Sequence, residues 1–119
     1  WTCQIMIIEG VVVHGDHLGR TLWFPTANIP VDPGICDAVT SVCIVDYHDQ
    51  QYPAVGTYLP HKWVYEVHLL DFDGDLYGQS LIVKIWDMLR PNQKFDSLTT
   101  LKAQITQDVI RARSLFVRP

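Results

Sequence analysis

Apolar residues fall in short alternating runs through most of the chain, and only the last fifth changes period. Residues 5–14 are rich in Ile and Val and run into Gly15-Asp16-His17-Leu18-Gly19-Arg20, which predicts a strand emptying into a glycine-bearing loop. Val39–Tyr47 is β-prone, and the polar run His48-Asp49-Gln50-Gln51 separates it from Tyr52–Thr57, predicting a hairpin whose loop exceeds two residues. Pro53 then belongs near a strand start or an edge, because it cannot donate to a ladder. In Trp63–Leu70 the alternation places Trp63, Tyr65, Val67 and Leu69 on one face and Val64, Glu66, His68 and Leu70 on the other. Turn chemistry follows at Asp71-Phe72-Asp73-Gly74-Asp75. Alternation resumes at Leu81–Met88, with Leu81, Val83 and Ile85 against Ile82, Lys84 and Trp86, and the pattern predicts a further hairpin.

Towards the end, Leu98, Leu101, Ile105, Val109, Ala112 and Phe116 recur at three- and four-residue spacing, a helical stripe that Asp96 or Ser97 can cap. Several strands followed by one helix, without β-α-β alternation, predict a mainly β domain: an antiparallel barrel or sandwich with a C-terminal α-helix. A chain of 119 residues, 48% hydrophobic, suits one domain over residues 1–119 and no second fold of ordinary size.

The formal net charge of −4 argues against nucleic acid as a partner, which would demand a basic face. Cysteines at 3, 36 and 43 form no C-x-x-C pair, so neither a disulfide framework nor a structural zinc site is expected, and a reducing, cytoplasmic setting fits. The run Ile5-Met6-Ile7-Ile8 is too short to span a bilayer and is followed by Glu9.

Phe24-Pro25-Thr26-Ala27-Asn28 carries the strongest chemical signal, because an extended segment projects Thr26 and Asn28 from one face as two neutral oxygen donors. Hard cations accept such oxygen ligands, and in phosphoryl transfer the metal is shared with the nucleotide phosphates, although an ordinary polar strand face has the same pattern. Gly15, Gly19 and Arg20 suit a nucleotide loop, but G-x-x-x-x-G-K-[ST] is missing and an ordinary tight turn explains the glycines equally well. Glu66 sits mid-strand between Tyr65 and Val67, where a carboxylate is paired, solvated or functional, and it is a candidate for accepting the proton of an attacking hydroxyl. Asp71, Asp73 and Asp75 imitate the start of a calcium loop, but Leu76 stands where its glycine is required. The cysteines lack a nucleophile constellation.

In order, Gly10–Gly15, Gly19–Leu22, Phe24–Ile29, Tyr65–Gly78 and Lys94–Leu98 with the following helix resemble the riboflavin kinase family, including the kinase module of bacterial bifunctional FAD synthetases. The resemblance implies a six-stranded antiparallel Greek-key barrel with a C-terminal helix. It implies transfer of the γ-phosphate of Mg·ATP to the riboflavin 5′-hydroxyl, giving FMN, with the two substrates on neighbouring sides of the Thr26–Asn28 segment. Thr26 and Asn28 would hold Mg²⁺, with Mn²⁺ or Zn²⁺ as alternatives, and the ATP phosphates. Gly15, Gly19, Arg20 and Pro25 would join them around the nucleotide, Glu66 would be the base, and Arg113 would stand near the flavin. An adenylyltransferase domain in a longer parent chain is the partner so implied. Aromatic side chains among Trp23, Tyr58, Trp63, Trp86 and Phe116 are candidates for an isoalloxazine slot.

The chain departs from that family in three places. Trp23 replaces a usual glycine; Gly56-Thr57-Tyr58-Leu59-Pro60-His61-Lys62 replaces Ala-Asn-Ile-Gly and a longer Thr-Arg-Pro-Thr loop; and Gly34-Ile35-Cys36 replaces the Gly-Val-Tyr that usually starts the next strand. These changes motivate a competing reading, a flavin- or nucleotide-binding regulatory module without turnover. A barrel that binds neither ligand is a third.

Overall fold

The computed structural model describes residues 6–14, 26–72 and 74–116. Six strands, β1 (Met6–Val11), β2 (Ala27–Pro30), β3 (Val39–Tyr47), β4 (Gln50–Leu59), β5 (Val64–Leu69) and β6 (Ser80–Pro91), precede one helix, α1 (Leu98–Phe116). They form one antiparallel sheet in the order β1-β6-β3-β4-β5-β2. The order β6-β3-β4-β5 is a Greek key, in which three consecutive strands are joined by a fourth that returns beside the first. A bridge from Val13 to Asn28, with Val13 N donating to Asn28 O at 2.8 Å, draws the exit of β1 against β2. The two ends of the sheet thereby meet, and the fold is a nearly closed barrel with a C-terminal helix.

The alternation in the sequence fills the barrel. Ile8, Ile29, Val45, Tyr65, Val67, Leu81 and Val83 are each at most 2% exposed and form one core with Cys43, Ala54, Tyr58 and Leu69. A smaller cluster of Val42, Val55, Leu70, Leu89 and Ala112 seats α1 on the outside of the barrel. Ser97 caps the helix, its Oγ accepting from Thr100 N at 3.2 Å. Leu98, first in the predicted stripe, is instead half exposed, because the first residue of the helix lies beyond the barrel contact. Among the described residues no helix is long and apolar enough to cross a membrane.

Four expectations are corrected. The β3–β4 loop is only His48-Asp49, since Tyr47 pairs with Gln50 and both loop residues have positive φ, the geometry of a type I′ turn whose twist matches the strands. Pro53 is the fourth residue of β4, opposite Ile44 of β3, and its carbonyl accepts from Leu70 N just past the end of β5. Trp63 does not share the core face of β5: it closes the preceding turn at φ 52° and is 59% exposed. Strands β5 and β6 are no hairpin, because each pairs elsewhere; the segment between them crosses the barrel end, with Gly78 N donating to Val12 O and Val12 N to Gln79 O. Likewise Gly34-Ile35-Cys36 forms a turn ahead of β3, with Gly34 at φ 72° donating its N–H to the Tyr58 hydroxyl.

Gly56 explains part of the departure in β4. A Cβ there would overlap the Tyr65 ring, 2.8 Å from Cζ and 2.6 Å from the hydroxyl, and Tyr65 is 1% exposed with no room to move. An alanine at this position does not fit beneath the tyrosine unless the ring shifts. Gly56→Ala is therefore expected to cost about 1–3 kcal/mol by overpacking, seen as a lower urea midpoint at unchanged m-value; a neutral result would mean that the ring repacks freely.

Candidate active site

Antiparallel register sets the site. Asn28 of β2 stands directly opposite Glu66 of β5, Glu66 opposite Thr57 of β4, Thr57 opposite Thr40 of β3, and Thr40 opposite Arg90 of β6. Directly opposed residues share a face with Cβ atoms about 5 Å apart. Five polar side chains thus form one row across five strands, on the face turned away from the Tyr65–Val67 core. In β5 strict alternation produces this row: Tyr65, Val67 and Leu69 pack the barrel, and Glu66 and His68 are left for the outside.

Two cavities flank the row's β2 end. The smaller, about 360 Å³, opens at the barrel mouth between Val12–His14, Ala27, Asn28 and the Gly74–Tyr77 segment. Its rim carries His14 and Tyr77 stacked at 3.7 Å between ring centroids. The larger, about 520 Å³, lies between the row and α1, walled by Val55, Phe95, Leu101 and Ile105, with Glu66, His68, Thr57 and Asn92 among its polar lining. Thr26 lines both. The rebuilt loop contributes His61 and Lys62 to the larger cavity. Its one described aromatic wall is Phe95. Tyr58 is a 3%-exposed core residue, Trp63 and Trp86 are solvent-facing, and none of the three lines either cavity. Trp23 lies outside the described residues, as does the side chain of Phe116.

The placement of the predicted residues is mixed. Thr26, Asn28 and Glu66 come together. Gly15, Gly19, Arg20 and Pro25 lie outside the described residues. Arg113 lines neither cavity; it clamps Asp71 with two bonds of 2.7 and 2.8 Å, tying the end of α1 to the end of β5. Its hydrogen bonds and charge hold the exposed Asp71 carboxyl below its usual range.

The metal expectation can be tested on the donors present. Among the described residues no cluster of three or more His, Cys, Asp or Glu side chains could hold an ion. Asn28 is only 8% exposed, and it lines the smaller cavity together with Thr26. A neutral pair such as Thr26 and Asn28 suits a cation whose charge is met mainly by nucleotide phosphates and whose remaining positions hold water.

Sequence reasoning missed the support beneath α1. Arg90 forks onto Asp108 through Nε (3.0 and 3.2 Å) and Nη2 (2.7 Å), and Gln104 Nε2 donates to the same carboxylate at 3.1 Å. Asp108 is 1% exposed although it lies on an otherwise apolar helix face. The i, i+4 spacing of Gln104 and Asp108 was the one available signal. The buried thiol of Cys43, pushed up to about 12 chiefly by burial, stays protonated at neutral pH and offers no nucleophile.

Comparison with known proteins agrees with this architecture. Residues 3–116 match the flavokinase family model, described as riboflavin kinase. The chain is 40% identical over 117 residues to the bifunctional riboflavin kinase/FMN adenylyltransferase of Escherichia coli (strain K12), a match covering 92% of this chain and 37% of that protein. It is 38% identical over 114 residues to the protein of the same description from Mycoplasma pneumoniae, covering 92% and 42%. Among solved structures, a Streptococcus pneumoniae protein described as a macrolide-efflux protein aligns at TM-score 0.73 and 30% identity over 90% of this chain and 38% of its own. The riboflavin kinase of Trypanosoma brucei shares the fold at TM-score 0.73 and 24% identity, over 98% of this chain and 79% of its own. This chain thus spans well under half the length of those bacterial relatives, and within that span it belongs to the riboflavin kinase family.

Proposed function

We propose that this domain, over residues 1–119, transfers the γ-phosphate of ATP to the 5′-hydroxyl of riboflavin, giving FMN and ADP. The observation that carries the reading is the cross-strand pair Asn28–Glu66, set where the two cavities share the wall at Thr26. A donor that meets phosphate and metal and a base that meets the acceptor hydroxyl must stand side by side for in-line transfer, and an antiparallel pair fixes them at that spacing.

In this assignment ATP takes the smaller cavity and riboflavin the larger, whose Phe95, Leu101 and Ile105 offer apolar surface to the ring. Glu66 accepts the proton of the 5′-hydroxyl as its oxygen attacks the γ-phosphorus, and the bond to the β,γ-bridging oxygen breaks to release ADP. Thr26 and Asn28 hold the phosphates and Mg²⁺, with Mn²⁺ or Zn²⁺ as alternatives. The bound cation supplies charge neutralisation on the transferring group. Gly15, Gly19, Arg20 and Pro25 complete the nucleotide side. Arg113 belongs to the flavin-side helix, and direct contact with flavin requires its pair with Asp71 to open. In a longer parent chain, an adenylyltransferase domain would convert the FMN formed here to FAD, and a cytoplasmic setting would supply both substrates.

Incubating the chain with riboflavin and Mg·ATP, followed by chromatographic separation of flavins, should yield FMN. Flavin binding without FMN under Mg²⁺, Mn²⁺ and Zn²⁺ would reject the reading in favour of a regulatory module. Asn28→Ala should raise the Mg²⁺ concentration for half-maximal rate by about tenfold, the worth of one good ligand hydrogen bond or neutral donor. An unchanged metal dependence would remove Asn28 from the metal site.

A further inference from the structure

A directed chain of hydrogen bonds links Asn92 through Thr40 to Thr57, the cross-strand neighbour of Glu66. Asn92 Nδ2 donates to Tyr58 O at 2.8 Å, which fixes the orientation of the amide, since the reverse placement would set two oxygens against each other. Its Oδ1 therefore faces Thr40 and accepts from Thr40 Oγ1 at 3.4 Å. Thr40 has one hydroxyl proton, and giving it to Asn92 leaves Thr40 Oγ1 to accept from Thr57 Oγ1 at 3.0 Å. Thr57 has then committed its own proton. It presents only lone pairs to the larger cavity, which Thr40, Thr57, Asn92 and Glu66 all line.

We infer that Thr57 determines specificity for the acceptor's polyol chain, accepting a hydrogen bond from the hydroxyl next to the one that is phosphorylated. The inference rests on the riboflavin kinase reading, in which that chain is the ribityl group. Register supplies the geometry: Thr57 is the direct neighbour of Glu66, so two adjacent side chains of one cross-strand pair meet two adjacent hydroxyls of one chain. Polarity supplies the selection. The anchored relay makes Thr57 an acceptor, and a chain lacking the 4′-hydroxyl leaves that acceptor unpaired in a partly buried site, where the loss is felt most. Asn92 acts through Thr40 and Thr57 and is a positioning residue.

The test is a cycle between side chain and substrate group, which cancels general effects of the substitution on folding. Thr57→Val should lower kcat/KM for riboflavin about tenfold and change it less than about twofold for 4′-deoxyriboflavin, whereas Thr57→Ser should retain the wild-type preference. Equal losses with both substrates, or a Ser variant as impaired as Val, would overturn the assignment. If the loss vanishes instead with N3-methylriboflavin, Thr57 reads the ring and the proposal fails. Titration of flavin fluorescence with the same ligands separates this inference from the parent reading. A wild-type chain that makes no FMN but binds riboflavin more tightly than its 4′-deoxy analogue, a preference lost in Thr57→Val, would reject kinase activity and support Thr57. Equal affinity for the two flavins, or binding of neither, would reject Thr57.

Discussion

Glu66→Gln is expected to reduce FMN formation by about 10²–10⁴-fold, the usual worth of a general base, while leaving the thermal midpoint and riboflavin affinity nearly unchanged. Glutamine keeps the shape of the side chain and fits the same place between Thr57 and Asn28, so the ladder of β5 with β2 and β4 need not move. What disappears is the capacity to take a proton from the 5′-hydroxyl at the moment that its oxygen attacks. The loss should therefore appear in kcat and in kcat/KM alike. Turnover equal to wild type would show that Glu66 is not the base, and neighbouring His68, which lines the same cavity, would be next to test.

The larger outlines of this site were legible in the sequence because they depend on local pattern. The β3 limits Val39–Tyr47 follow from β-branched density, the helix from its three- and four-residue spacing, and the opposite faces of Tyr65 and Glu66 from strict alternation. Thr26 and Asn28 were separated from the background by their shared face, and the family resemblance tied them to Glu66. What local pattern does not carry is register. The row Asn28–Glu66–Thr57–Thr40–Arg90 is assembled by four strand pairings, two of them between strands far apart in sequence, and a slip of one residue in any of them would turn its members into the core. The β5–β6 crossover was misread for a related reason: its aspartates and glycines are turn formers whether the chain returns beside the preceding strand or crosses the barrel. Trp63 was misplaced because alternation continues past the strand end, while the backbone there has already turned to positive φ.

The same limit concealed Arg90 and Asp108, whose pairing yields the largest stability prediction. Regular alternation would not let both Leu89 and Arg90 meet α1, yet Leu89 packs with Ala112 while Arg90 bonds Asp108. The register shift at Thr40/Ser41, where Arg90 and Met88 are partners of successive β3 residues, leaves Leu89 as an extra residue and re-aims Arg90. The ion pair so formed has side chains 16% and 2% exposed, which places it well below the surface. Arg90→Ala leaves the Asp108 carboxylate in that setting with Gln104 as its remaining described partner, and is expected to destabilise the domain by about 3–5 kcal/mol. In a chain of this size that corresponds to a fall in Tm on the order of 10 °C or more. Arg90→Lys should recover only part of the loss, since an ammonium cannot reproduce the three-bond fork. The pair Arg90→Met with Asp108→Leu should recover most of it, because removing both charges removes the desolvation problem along with the attraction. Chemical denaturation of the four proteins at constant m-value measures each cost. A loss below about 1 kcal/mol in Arg90→Ala, the range of exposed pairs, would show that water reaches Asp108. Because α1 supplies Leu101 and Ile105 to the larger cavity, riboflavin affinity should weaken in step with stability through the series.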